Sequence, residues 1–142
     1  MSKYNSEKTV IDGITFDSKD EGRYYECLLK RKAKGEILNF ELQPKMVLIE
    51  GFEYFGKRER ATTYTPDFLI YHLDGSLEYI DVKGYSTQQG KLREKLFKYK
   101  YRNSKLTWIA SSYKYGDEYG WIEYKELEKI RRKNKKGKIR ND

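Results

Sequence analysis

The chain is expected to fold as a mixed α/β domain, one sheet with helices on both faces. Three features lead there. Segments 17–35 and 86–102 carry helical periodicity and are separated by a series of strand-like segments. The apolar run LTWIAS (106–111) has the length of a strand and the composition of a covered one. At 142 residues, the chain suits a single domain with one modest core.

The elements follow in order. TVIDGITF (9–16) reads as a small hairpin with Asp12-Gly13 as its turn. In the helix of 17–35, Ser18 is a good N-cap, Glu21 completes a capping-box pattern and Gly35 is a stop. Its apolar face is set by Tyr24, Tyr25, Leu28 and Leu29. Segment 37–50 is extended, broken at Gln43-Pro44, with Met46 to Ile49 as a strand. Segment 51–63 is expected to be an irregular excursion carrying Lys57, Arg58 and Arg60. A longer hairpin follows at 64–84. The helix of 86–102 places Leu92, Leu96 and Tyr99 on one stripe. GWIEY (120–124) adds a strand, and Lys125 to Arg132 a last helix fraying into the tail. The domain is assigned to 1–128 and a basic tail to 129–142.

Charge is concentrated at the end. The net charge is +8, and residues 129–142 contribute +7 of it, leaving the rest almost neutral. Such a tail binds nucleic acid or is simply solvated. No run is long and apolar enough for a membrane span, and Met1 to Asp12 is too polar for a signal peptide. The single Cys27 lies in a helical pattern and cannot form an internal disulfide. Together these fit a reducing, cytoplasmic setting.

The second hairpin carries the chemistry. Alternation puts Leu77, Tyr79, Asp81 and Lys83 on one face of its second strand. Asp67 opens the first strand, on the face of Leu69 and Tyr71. A two-residue turn at Asp74-Gly75 would leave Asp67 and Asp81 on opposite faces. A three-residue turn, Leu73-Asp74-Gly75, pairs His72 with Ser76 and sets the two Asp residues directly opposite. The latter is expected, with Gly75 in the left-handed position. His72, beside the turn, is read as solvent-exposed, and Trp108 and Trp121 as core. Facing like charges destabilise a sheet, but they suit a divalent cation, which prefers oxygen ligands. Glu21 falls near the middle of the apolar face of its helix, where a carboxylate needs compensation. A capping role explains it in part and does not exclude the inward direction. A Mg²⁺ ion held by Asp67 and Asp81, with Glu21 and the Val82 carbonyl as further candidates, would activate water and neutralise phosphate charge. Lys83 points at the same spot. It would orient or help deprotonate the water, or offset phosphate charge.

Pro66-Asp67 followed by Asp81-Val82-Lys83 resembles the PD-(D/E)xK motif of the restriction-endonuclease-like nuclease superfamily. Glu21 on a preceding helix matches the acidic residue of that motif's N-terminal part. Over roughly Gly13 to Tyr101 the chain is similar to small phage-encoded nucleases of this class, akin to Holliday junction resolvases. The resemblance implies a restriction-endonuclease-like mixed sheet flanked by helices, Mg²⁺ or Mn²⁺ dependence and a DNA substrate, branched or duplex. It implies Glu21, Asp67 and Asp81 as metal ligands, Lys83 as catalytic lysine and Gln43 as a supporting residue. A bacterial host cytoplasm and a homodimer are implied by the same analogy.

DNA contacts are expected from Lys57, Arg58 and Arg60, from Lys91 and Lys95, and from the tail residues Arg131, Arg132, Lys133, Lys135 and Lys136. The alternative is a non-catalytic nucleic-acid-binding accessory protein that keeps the fold; the same basic residues and the 14 Tyr would serve it.

Overall fold

The computed structural model describes residues 7–141, with side chains described as far as Gly137. Residues 1–6, Asp142 and the side chains of 138–141 lie outside the described residues.

The chain opens with a hairpin, β1 (Thr9–Ile11) and β2 (Ile14–Phe16), in register Ile11↔Ile14. Its turn residues Asp12 and Gly13 both have positive φ (51° and 75°), which the Asp-Gly pair tolerates. Helix α1 (Lys19–Ala33) follows, capped by Ser18, whose hydroxyl accepts from the Glu21 N–H at 3.1 Å. At its far end Gly35 takes φ 74°. The Glu36 N–H bonds the Arg31 carbonyl and the Gly35 N–H the Lys32 carbonyl, closing a Schellman motif. Leu28 is completely buried on this helix, while Leu29, expected on the same stripe, is 38% exposed. Tyr24, Cys27 and Leu28 fill the inward arc, leaving Leu29 at its edge.

Next come β3 (Ile37–Leu42), β4 (Met46–Ile49), β5 (Phe52–Tyr54), β6 (Lys57–Glu59) and β7 (Thr62–Tyr64). β4 pairs with β7, and β5 with β6. Segment 51–63 is therefore a β-hairpin on a strand-paired stem, not the irregular excursion expected. Phe55 and Gly56 (φ 47° and 80°) form its turn, and a Phe at that position carries no turn signal.

The main hairpin is β8 (Phe68–His72) and β9 (Leu77–Val82). Its register is Phe68↔Ile80 to Tyr71↔Leu77, with the His72 N–H bonding Ser76 and Gly75 at φ 86°. This is the three-residue turn, and continuing the register sets Asp67 opposite Asp81. His72 is half-buried and its Nε2 lies 2.8 Å from Glu78 Oε1, so it is paired, not solvated as expected. It and Glu78 are diagonal neighbours across the hairpin.

Helix α2 (Gln88–Lys100) carries the chain over to β10 (Lys105–Ser111), which lies parallel to β9. Strand β11 (Trp121–Glu123) and helix α3 (Tyr124–Asn141) complete the fold. The sheet order is β11-β10-β9-β8-β3, antiparallel except for β9–β10. α1 packs on one face, over Phe68, Ile70, Ile80 and Val82. α2 and α3 cover the other, through Phe97 and Leu127 against Leu69, Tyr79 and Trp108. The chain is thus mixed α/β, one sheet between helices, with both tryptophans in the core. No helix among the described residues is long and apolar enough to cross a membrane.

Two expectations about helices are corrected. Of the expected stripe of α2 only Leu96 packs against the core: Leu92 is 56% and Tyr99 67% exposed, and Glu94 and Phe97 face inward. A charged residue at 94 hides this stripe in the sequence, because, beside Lys98 one turn on, its charge is met by Lys125 from another helix. The basic tail does not fray after Arg132. α3 continues to Asn141, so the boundary expected at 128 falls inside a helix. Lys and Arg are good helix formers, and Leu127 docks the first turns.

Candidate metal centre

The site lies at the end of the sheet where the β8–β9 ladder stops. Pro66 cannot extend that ladder, having no N–H. The Asp67 carbonyl instead accepts from the Gln43 N–H at 2.9 Å, and its Oδ2 accepts from the Val82 N–H at 2.8 Å. Gln43 reaches this position with φ 49°. Asp67 is thereby pinned to two strands, β9 beside it and the end of β3.

Glu21 sits in the first turn of α1, and its Oε2 accepts from the Asp17 N–H at 3.1 Å. The bond expected back to the Ser18 N–H is made instead to the N–H one residue earlier. Glu21 also lines the same cavity as Asp67, and Asp81 faces Asp67 across the hairpin. Asp67 is the middle member of the trio. Burial first, then the facing Asp81, push its carboxyl up to about 10. Burial is also the main cause that raises Glu21. Asp67 therefore carries the proton that three neighbouring carboxylates must share. Glu21, Gln43 and Asp67 line a cavity of about 50 Å³.

Asp81 is buried at 6% exposure, and its Oδ2 takes two donors. The Tyr64 hydroxyl donates at 2.6 Å and Lys83 Nζ lies at 2.8 Å. Tyr64 ends β7; burial and then the Asp81 charge push its hydroxyl above the usual range. Lys83 follows β9 with its N–H still bonded to the Ile109 carbonyl at 2.7 Å. Its ammonium stands 4.7 Å from the centre of the Trp108 ring. Trp108 is the β10 residue paired with Asp81, and its buried Nε1 has no hydrogen-bond partner.

The structure thus brings together Glu21, Asp67, Asp81 and Lys83, with Val82 and Gln43 holding Asp67 through their N–H groups. It does not bring Lys57, Arg58, Arg60, Lys91, Lys95, Arg131, Arg132, Lys133, Lys135 or Lys136 into the cluster; all ten are exposed, on the β5–β6 hairpin, α2 and α3. Tyr64 and Trp108 are the members that sequence reasoning misses. Tyr64 comes from β7, which pairs with β4, and Trp108 from β10, beside β9; no local pattern reveals either placement. Larger hollows, about 270 Å³ beside α1 and β10 and about 600 Å³ at the β8–β9 turn, contain none of these residues.

Carboxylate oxygens are the ligands that hard divalent cations prefer, and an ammonium beside them suits a phosphate. The crowding fits such an ion, since positive charge would relieve the repulsion that now requires a proton. Among the described residues no three acidic, His or Cys side chains surround a single point. Asp81 Oδ2 is engaged by Tyr64 and Lys83, and Asp67 Oδ2 by Val82, so loading requires these oxygens to be shared or turned.

Fold and site define the chain as a mixed α/β protein with a carboxylate–lysine cluster at the open end of its sheet. Residues 1–117 match the family described as "Protein of unknown function (DUF1064)", and the chain belongs to that family. The match contains every member of the cluster. No curated protein and no solved structure matches the chain.

Proposed function

We propose that the chain is a metal-dependent DNA endonuclease that hydrolyses phosphodiester bonds, selective for branched DNA in the manner of a junction resolvase. One observation carries the reading: Glu21 shares a cavity with Asp67, and Asp67 faces Asp81, which is paired with Lys83 at 2.8 Å. Clustered buried carboxylates are costly to a fold, and apolar residues of similar size would stabilise it better. A chemical task explains their presence.

Glu21, Asp67, Asp81 and the Val82 carbonyl are the groups to hold Mg²⁺ or Mn²⁺. Such an ion supplies a water of lowered pKa and neutralises charge developing on the phosphate. Asp67 would hold such an ion as a carboxylate, without the proton that burial favours. Lys83 offsets phosphate charge from the Asp81 side, held in place by the Trp108 ring. Tyr64 keeps Asp81 aimed. The exposed cations of α2 and α3 contact the DNA backbone.

The test is cleavage of labelled four-way junction and linear duplex with Mg²⁺, Mn²⁺ or EDTA. Wild type is expected to cut only with metal and to prefer the junction. Lys83→Ala and Asp67→Asn are expected to lose about 100-fold or more. Binding without cutting under every metal would favour the non-catalytic accessory protein, a reading supported by the hydrogen bonds already closed around Asp81. Cutting that survives both substitutions would place the chemistry elsewhere.

A further inference from the structure

The β5–β6 hairpin stands free of the domain. Its strands pair only with each other, and every residue from Phe52 to Ala61 is exposed. An isolated two-stranded hairpin is marginal in water. This one is also built against its own stability at the tip. Phe55 takes φ 47°, a left-handed conformation that a bulky side chain disfavours. The β1–β2 hairpin of the same molecule makes a similar turn with Asp12-Gly13, the favoured pair. Where Asp would be easier, the arm holds a Phe that is 91% exposed. Tyr54 props it edge-on, with ring centres 4.7 Å apart at 86°. Lys57, directly across from Tyr54, and Arg58 and Arg60 present exposed cations along the same arm, in excess of its two acids Glu53 and Glu59.

A flat apolar ring beside cations matches a partner that offers a flat apolar face beside negative charge. A nucleic-acid base with its phosphate has that form. Both ends of the arm are anchored near the candidate metal centre. β7 runs directly into Tyr64, on Asp81, and β4 begins just after Gln43. β4 is itself fixed to α2 by the Tyr101 hydroxyl on the Val47 carbonyl at 2.8 Å. At ~3.3 Å per extended residue, the chain from Phe55 to Tyr64 spans at most roughly 30 Å, less than one turn of duplex, about 34 Å.

We propose that the β5–β6 arm is a DNA wedge: Phe55 stacks on a base exposed at an interruption of the duplex, a branch or strand end, while Lys57, Arg58 and Arg60 hold the flanking phosphates. The inference rests on the endonuclease reading and deepens it. It assigns the substrate class to DNA with broken base stacking, less than one duplex turn from the bond that is cut.

The test uses the full chain in EDTA, so that no cutting occurs. A four-way junction carries 2-aminopurine at the branch or far from it, beside a linear duplex control. Wild type is expected to change the fluorescence of the branch probe alone. Phe55→Ala is expected to abolish that change and weaken junction binding roughly tenfold, with an unchanged melting temperature because the arm supports no core. Phe55→Trp should keep the signal, and Phe55→Leu, apolar but not aromatic, should lose it. An unchanged branch signal and junction-to-duplex affinity ratio in Phe55→Ala and Phe55→Leu would overturn the wedge and point to an apolar protein partner. The two readings fail separately. A Phe55-dependent signal with no metal-dependent cutting would sink the endonuclease and keep the wedge; cutting indifferent to Phe55 would do the reverse.

Discussion

Asp67 concentrates the electrostatics of the site in one carboxyl. Its folded value is raised above the ordinary carboxylate range near 4. The folded chain therefore keeps a proton that the unfolded chain releases above about pH 4. By linkage, that contribution is fully present below the unfolded value and declines as pH rises toward about 10. Thermal melts in EDTA should show stability falling across this window. Asp67→Asn, which imitates the protonated form, should flatten the fall, and saturating Mg²⁺ should oppose it. A flat profile in wild type without metal would contradict the arrangement of the trio. Tyr64 offers a second test at this scale. Tyr64→Phe removes a buried donor from Asp81 and should cost about 1–3 kcal/mol in denaturant unfolding. The same variant should change the Mg²⁺ concentration needed for thermal stabilisation, a shift that weakened packing alone would not produce.

At the scale of elements, α2 separates two readings of one helix. Phe97 is wholly buried, between Tyr64, Tyr79 and Tyr101, whereas Leu92 is mostly solvated. Phe97→Ala should cost about 3–5 kcal/mol, and Leu92→Ala should stay within about 0.5 kcal/mol. Equal losses from the two would restore the stripe the periodicity suggests. The β8–β9 hairpin is legible in the sequence because Asp74-Gly75 marks the turn and the choice between two turn lengths fixes every pairing behind it. The inward direction of Glu21 is legible from the helical period. The inner stripe of α2 is not, because Glu94 is neutralised by Lys125 from a helix far along the chain. The β5–β6 arm is not, because its strands have three residues each and bury nothing.

At the scale of the molecule, the charge concentrated at the C-terminus becomes a continuous basic helix projecting from β10 and β11. Replacing Arg131, Arg132, Lys133, Lys135 and Lys136 by Gln keeps good helix formers while removing five charges. If α3 lies along DNA, the dependence of log affinity on log salt should weaken by about 0.9 for each phosphate no longer neutralised; identical slopes would exclude it. The tail's charge is legible, its helical form less so, and Tyr64 and Trp108 at the site not at all, since only the assembled fold sets them beside Asp81 and Lys83. That assembly also orders events in time. The β8–β9 hairpin is local and can close early, but the parallel β9–β10 pair waits for the α2 crossover, and Glu21 arrives only when α1 docks on the sheet. A nascent chain, or one partly unfolded, holds scattered carboxylates and no complete site. Whatever chemistry the cluster performs must wait until folding is finished, so the molecule's own topology keeps half-made copies inert.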